Sequence, residues 1–175
     1  MNQRPLSPRP SQMDQASFVD HFGDTYEHSP WVAELTWQRG LGEAQDTAEG
    51  LAEAMAAVLR TTEPSRQLDV IRAHPDLAGK AAIAGDLTND STREQAGAGL
   101  DQCSPEELAR FERLNEAYKA KFGFPFVMAV KGSDRHVILA AFETRLAHDP
   151  EEERRTAIEQ INRIARLRLE ARAKE

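Results

Sequence analysis

Apolar residues in this chain recur at helical spacing almost throughout, and each run is bounded by helix punctuation. Phe18, Val19 and Phe22 mark a short amphipathic helix ending at Gly23. Ser29-Pro30 reads as a cap followed by proline, opening a helix through Trp31 and Leu35 that stops at Gly40. Asp46 with Glu49 resembles a capping box ahead of Leu51, Met55, Val58 and Leu59. Thr62 and Pro64 start a helix using Leu68, Val70 and Ile71, which must end near Ala73 because Pro75 drives His74 out of the helical region. A loop with Gly79 and Gly85 follows, and Thr88 or Asp90 caps a helix toward Leu100. Ser104-Pro105-Glu106-Glu107 starts a helix burying Leu108, Phe111, Leu114 and Tyr118. Val137, Ile138, Ala141, Phe142 and Leu146 define the next, and Asp149-Pro150 opens the last and longest, to about Arg172. Residues 122–130 break the pattern, being apolar with Gly123 and Pro125, and are expected to run extended as a buried linker. The expectation is an all-α protein of about eight helices in a single domain, 14–175, with this one short extended apolar segment.

Pro5, Pro8 and Pro10 sit among polar residues, so residues 1–13 read as a disordered tail. A chain of 175 residues with 40% hydrophobic and 29% charged side chains is a globular protein able to bury a core without staples. A formal net charge of −7 argues against nucleic-acid and anionic-membrane partners, though a local cluster of donors can still hold a small anion. Cys103 is the single cysteine, which excludes an internal disulfide and, without CxxC spacing, argues against a thiolate metal site. No leader or long apolar run is visible, so the expected compartment is the cytoplasm. His21, His28, His136 and His148 lack metal-binding spacing, and no Gly-rich phosphate loop, Rossmann fingerprint or nucleophile elbow is present.

Three places are chemically unusual, and each has two readings. His74 precedes Pro75 in His74-Pro75-Asp76-Leu77-Ala78-Gly79-Lys80. It is either an imidazole presented into a cleft for proton transfer or a solvated histidine at a helix end. Ser91-Thr92-Arg93-Glu94-Gln95 is either a helix start that holds a carbonyl-rich or anionic ligand, or a capping box in which Glu94 bonds back to Ser91. Arg168 falls within the apolar stripe of Ile158, Ile161, Ala165 and Leu169. A buried arginine needs a counter-charge, supplied by a protein carboxylate, a substrate carboxylate or an interface.

These segments occur in order with Leu114-Asn115-Glu116-Ala117-Tyr118-Lys119-Ala120-Lys121-Phe122-Gly123-Phe124-Pro125-Phe126 and Ile164-Ala165-Arg166-Leu167-Arg168-Leu169. As a set they resemble the 2-oxo-4-hydroxy-4-carboxy-5-ureidoimidazoline (OHCU) decarboxylase family, from about Phe18 to Leu169. The resemblance implies an all-helical homodimer without metal or organic cofactor, acting on a small ureidoimidazoline in urate breakdown to give (S)-allantoin. It implies catalytic roles for His74 and Glu94. Substrate contacts fall on Pro75, on Ser91, Thr92, Arg93 and Gln95, and on backbone groups of Phe126, Val127, Met128, Ala129 and Val130. An active-site arginine of the last helix matches Arg168. Two other functional classes fit the same residues: a hydrolase or lyase on a related cyclic amide, and a non-catalytic helical interaction module.

Overall fold

A computed structural model describes residues 3–173. It contains nine α-helices and no strand among these residues, with a single isolated bridge between Pro5 and Thr47. They are α1 (Gln15–Phe22), α2 (Trp31–Gln38), α3 (Ala48–Thr61), α4 (Pro64–Arg72), α5 (Lys80–Ala84), α6 (Asn89–Gly97), α7 (Pro105–Phe122), α8 (Arg135–Leu146) and α9 (Pro150–Ala173). The chain gathers into two compact units. One holds the described residues up to Ala73 and from Ile161 onward; the other is His74–Gln160.

In the first unit, α3 presents Leu51, Met55, Val58 and Leu59 fully buried. Each such side chain contributes about 1.5–3 kcal/mol by leaving water. Phe18 and Phe22 of α1, also buried, meet in a tilted arrangement at 5.3 Å between ring centres. Gln67 of α4 donates to the Leu59 carbonyl at 3.0 Å, so the end of α3 is held by a side chain from the next helix. The tail expected to be disordered is docked over residues 3–13; Met1 and Asn2 lie outside the described residues. Leu6 is 4% exposed, its N–H donates to the Asp46 carbonyl at 2.8 Å, and the Ala48 N–H donates to the Arg4 carbonyl at 2.8 Å.

That docking also revises the start of α3. Asp46 does not cap the helix, because its carboxylate accepts from the Ser11 N–H at 2.8 Å and the Ser11 hydroxyl at 2.7 Å. Glu49 accepts from the Arg4 N–H at 2.6 Å. Thr47 takes over as the cap, accepting from the Gly50 N–H at 3.0 Å. Ser29 likewise does not cap α2; its hydroxyl donates to the Glu27 carbonyl.

In the second unit the sequence-predicted capping box is present. The Ser104 hydroxyl accepts from the Glu107 N–H at 3.1 Å and Glu107 accepts from the Ser104 N–H at 2.8 Å. Residues 79–85, expected as a loop, include the one-turn helix α5. Helix α7 ends at Gly123, which adopts the left-handed conformation that terminates a helix without a Cβ clash. Residues 124–130 then run without regular structure through an aromatic cluster. Phe126 stacks on Phe142 at 3.8 Å, and Tyr118 meets Phe126 edge-on at 5.4 Å. Leu108 and Leu114 are only half-buried, while Asn115 shares the buried face of α7 with Phe111 and Tyr118.

Candidate active site

The second unit opens on His74, and the turn that follows it is held at several consecutive residues. Gln95 of α6 accepts from the Ala78 N–H at 2.9 Å and donates to the Asp76 carbonyl at 3.2 Å. Asn115 of α7 donates to the Leu77 carbonyl at 3.0 Å. Lys119, one helical turn further along α7, pairs with the Asp76 carboxylate at 2.6 Å. The turn needs such restraint because Ala78 has φ +51°, a region costly for any residue with a Cβ. At Gly79 a Cβ would come within 2.6 Å of the Asp76 Cβ, so the tight turn requires glycine there. His74 itself is 8% exposed. It is therefore not the solvated histidine of the alternative reading.

Helix α6 also departs from the capping-box reading. Its cap is Thr88, whose hydroxyl accepts from the Ser91 N–H at 3.2 Å, so Ser91 lies inside the first turn. Ser91 and Gln95, four residues apart, are buried on one side of α6. Glu94, three residues from Ser91 and adjacent to Gln95, flanks the same side and is half-buried. Thr92 and Arg93 are exposed; the Thr92 hydroxyl donates to the Thr88 carbonyl and Arg93 pairs with Asp90. The structure thus brings Gln95 to the His74 turn and places Ser91 and Glu94 beside it on the helix. It turns the side chains of Thr92 and Arg93 outward.

The segment carrying Phe126, Val127, Met128, Ala129 and Val130 is held from α8 and α9. Arg145 donates to the Val127 carbonyl at 2.6 Å, with its guanidinium 4.3 Å over the Phe126 ring. Gln160 accepts from the Ala129 N–H at 2.9 Å. Arg145 is paired with Glu153, which is 0% exposed and also accepts from the Tyr118 hydroxyl at 2.5 Å. His148 Nδ1 lies 3.0 Å from the other Glu153 oxygen. The pair sits where helix dipoles favour it, the cation in the last turn of α8 and the carboxylate near the start of α9. Burial, followed by the bond to Glu153, pushes the Tyr118 phenol far above its ordinary range, so it stays a neutral donor.

Arg168 belongs to the first unit. It is 8% exposed, and its Nη1 lies 3.1 Å from Glu27 and 3.4 Å from the Asp24 carbonyl. A protein carboxylate is therefore among its partners. Cys103 is not an activated thiol: burial, then the nearby Glu107 charge, raises its pKa. Among the described residues no three His, Cys, Asp or Glu side chains gather to form a metal site, and no helix is long and apolar enough to cross a membrane.

Asn115, Lys119, Arg145, Glu153 and Gln160 are absent from the sequence-derived set. Two carried a readable signal. Arg145 falls on the face of α8 defined by Ile138 and Phe142, and Asn115 on that of Phe111 and Tyr118. A polar residue in an apolar stripe needs a partner, the argument that singled out Arg168.

The family model for OHCU decarboxylase matches residues 11–170. The chain belongs to the OHCU decarboxylase family. A 2-oxo-4-hydroxy-4-carboxy-5-ureidoimidazoline decarboxylase of Halalkalicoccus jeotgali is 42% identical over 160 residues, covering 91% of this chain and 87% of that one. A crystal structure of (S)-allantoin synthase superposes with TM-score 0.73 at 32% identity, covering 93% of this chain; the chain spans 52% of that protein's length. A crystal structure of OHCU decarboxylase with (S)-allantoin, at 22% identity and TM-score 0.66, covers 83% of this chain and 92% of that one and shares the fold. The match starting at residue 11 leaves most of the docked Pro-rich tail outside the OHCU decarboxylase core.

Proposed function

We propose that this chain converts OHCU to (S)-allantoin and CO₂ in urate degradation, without a metal or organic cofactor. The observation that carries the proposal is the buried His74 at the head of a turn locked by Gln95, the chain neighbour of Glu94, in a member of this family. The chemistry needs an electron sink, and the substrate contains one. When the bond between the carboxylate and the hydroxyl-bearing carbon breaks, its electron pair passes to the adjacent imine. The former imine nitrogen takes up a proton to become a ring N–H, the hydroxyl gives up its proton to become a carbonyl, and the ureido-bearing carbon gains one, so the carboxylate form of the substrate consumes one proton in all. His74 is the general acid/base for these proton movements, and Glu94 orients either His74 or the ureido group. Delivery of the proton to one face makes the product (S); the uncatalysed reaction gives the racemate.

Substrate contact falls on Pro75, on the buried side of α6 through Ser91 and Gln95, and on backbone groups of Phe126, Val127, Met128, Ala129 and Val130. Thr92 and Arg93 serve through the position of the helix and not through their outward side chains. The pairing of Arg168 with Glu27 supports a role in fixing the C-terminal helix, while a substrate contact by Arg168 rests on the family resemblance alone. We read the working state as a cytoplasmic homodimer acting on a small molecule. Light scattering of the purified chain tests the dimer, and a monomer at micromolar concentration would contradict it. His74→Ala tests the mechanism: the variant folds and loses almost all stereospecific turnover. Retained production of (S)-allantoin by that variant would remove His74 from the reaction.

A further inference from the structure

The segment of residues 126–130 is pinned at two successive peptide groups, the two that flank Met128. Arg145 holds the Val127 carbonyl, and Gln160 holds the Ala129 N–H. Both peptide bonds flanking Met128 are trans. In a trans peptide the C=O and N–H point in opposite directions. Fixing the Val127 C=O on Arg145 therefore aims the Met128 N–H away from Arg145. Fixing the Ala129 N–H on Gln160 aims the Met128 C=O away from Gln160. Neither Met128 group bonds to another described residue, and the residue is half-buried.

We infer that Arg145 and Gln160 are positioning residues that aim the Met128 N–H and C=O as one donor–acceptor pair. A donor and an acceptor on a single residue match a ligand edge where an N–H adjoins a C=O, as in a cyclic amide or urea. The inference rests on the proposed function and deepens it, naming which backbone groups read the amide edge and what orients them. Glu153 and Tyr118 complete the device by fixing the guanidinium plane. Arg145 Nε is committed to Glu153, and Nη1 is left to meet Val127. Without that pairing the arginine would be an uncompensated buried charge.

Gln160 is the better test residue, because it is half-buried and carries no charge. Gln160→Leu removes the acceptor for the Ala129 N–H, whereas Gln160→Glu keeps it. Binding of allantoin is measured by calorimetry for the wild type and both variants, alongside their melting temperatures and turnover of fresh OHCU. The expected result is a rise of about five- to tenfold in Kd and KM for Gln160→Leu, the scale of one lost hydrogen bond. Its kcat and melting temperature change little, and Gln160→Glu recovers most of the affinity. Arg145→Lys keeps the charge against Glu153 but loses the forked contact, and raises Kd in the same sense. Wild-type affinity in Gln160→Leu, or equal losses in the Leu and Glu variants, would overturn the inference. Absence of allantoin binding to the wild type would overturn it as well. A wild type that binds allantoin in a Gln160-dependent way but does not turn over OHCU would support the inference and refute the proposed reaction.

Discussion

Gln95 offers the sharpest prediction, because each end of its amide makes one bond to the turn that carries His74. Gln95→Met keeps the volume and the helix propensity but deletes the bonds to the Ala78 N–H and the Asp76 carbonyl. Two net hydrogen bonds are worth about 1–3 kcal/mol together. Ala78 is 5% exposed, so its N–H is left buried and unpaired, which brings the total loss to about 2–4 kcal/mol. For a chain of this size each kcal/mol lowers Tm by about 2–4 °C, so the melting point falls by roughly 4–16 °C. Activity falls further than stability requires. With its clamp gone, Ala78 relaxes out of its left-handed conformation and His74 loses its fixed position. Urea unfolding gives the stability loss, and kcat measured well below the new midpoint separates positioning from unfolding. Amide exchange at Ala78 reports the turn directly, with protection expected to collapse in the variant. A Gln95→Met protein with wild-type stability and kcat would refute the reasoning, since nothing else then depends on those two bonds.

Three further outcomes follow from the same geometry. At Ala78, glycine trades about 1 kcal/mol of relieved strain against a similar gain in unfolded-chain entropy, so Ala78→Gly is near neutral. Ala78→Val, β-branched at positive φ, costs about 2 kcal/mol or more, and equal melting points for the two would contradict the strained conformation. Glu107 has a pKa held below its ordinary value, first by the Ser104 N–H and then by Arg135. Its contribution is present above the unfolded-state pKa and is lost as pH falls through the depressed folded value, so Glu107→Gln flattens the acid limb of a stability–pH curve. An unchanged limb would show that the box carries no linkage. Arg168→Met removes a charged partner of Glu27 and costs on the order of 3 kcal/mol, while adding Glu27→Gln restores much of it. If turnover returns with stability in the double variant, the arginine only fixes α9; if it does not, the guanidinium serves the substrate.

The helices were legible because their signals are local. Ser104-Pro105-Glu106-Glu107 needs only four consecutive residues to predict its own geometry, and the structure has the box as written. Asp46 and Glu49 carry the same pattern, yet Ser11 and Arg4 claim both carboxylates from 35 and 45 residues away. A partner so distant leaves no trace in local spacing. The docked tail was hidden for the same reason, since proline and polar residues describe a loose segment until Leu6 is seen to be buried. His74, Glu94 and Gln95 were readable as a set of motifs, but the motifs did not say that Gln95 grips the turn. Arg145 and Glu153 looked like ordinary charges on long helices. Only the position of Arg145 on the Ile138–Phe142 face hinted otherwise, and Glu153, seven residues after the helix it serves, gave no sign.

The central claim is tested most directly by adding the purified chain, with chelator and no added metal, to OHCU generated freshly from urate, and following the circular dichroism of the product. The account predicts rapid accumulation of (S)-allantoin, unchanged by the chelator. Racemic allantoin appearing at the buffer rate, from a sample shown to be folded, would contradict it.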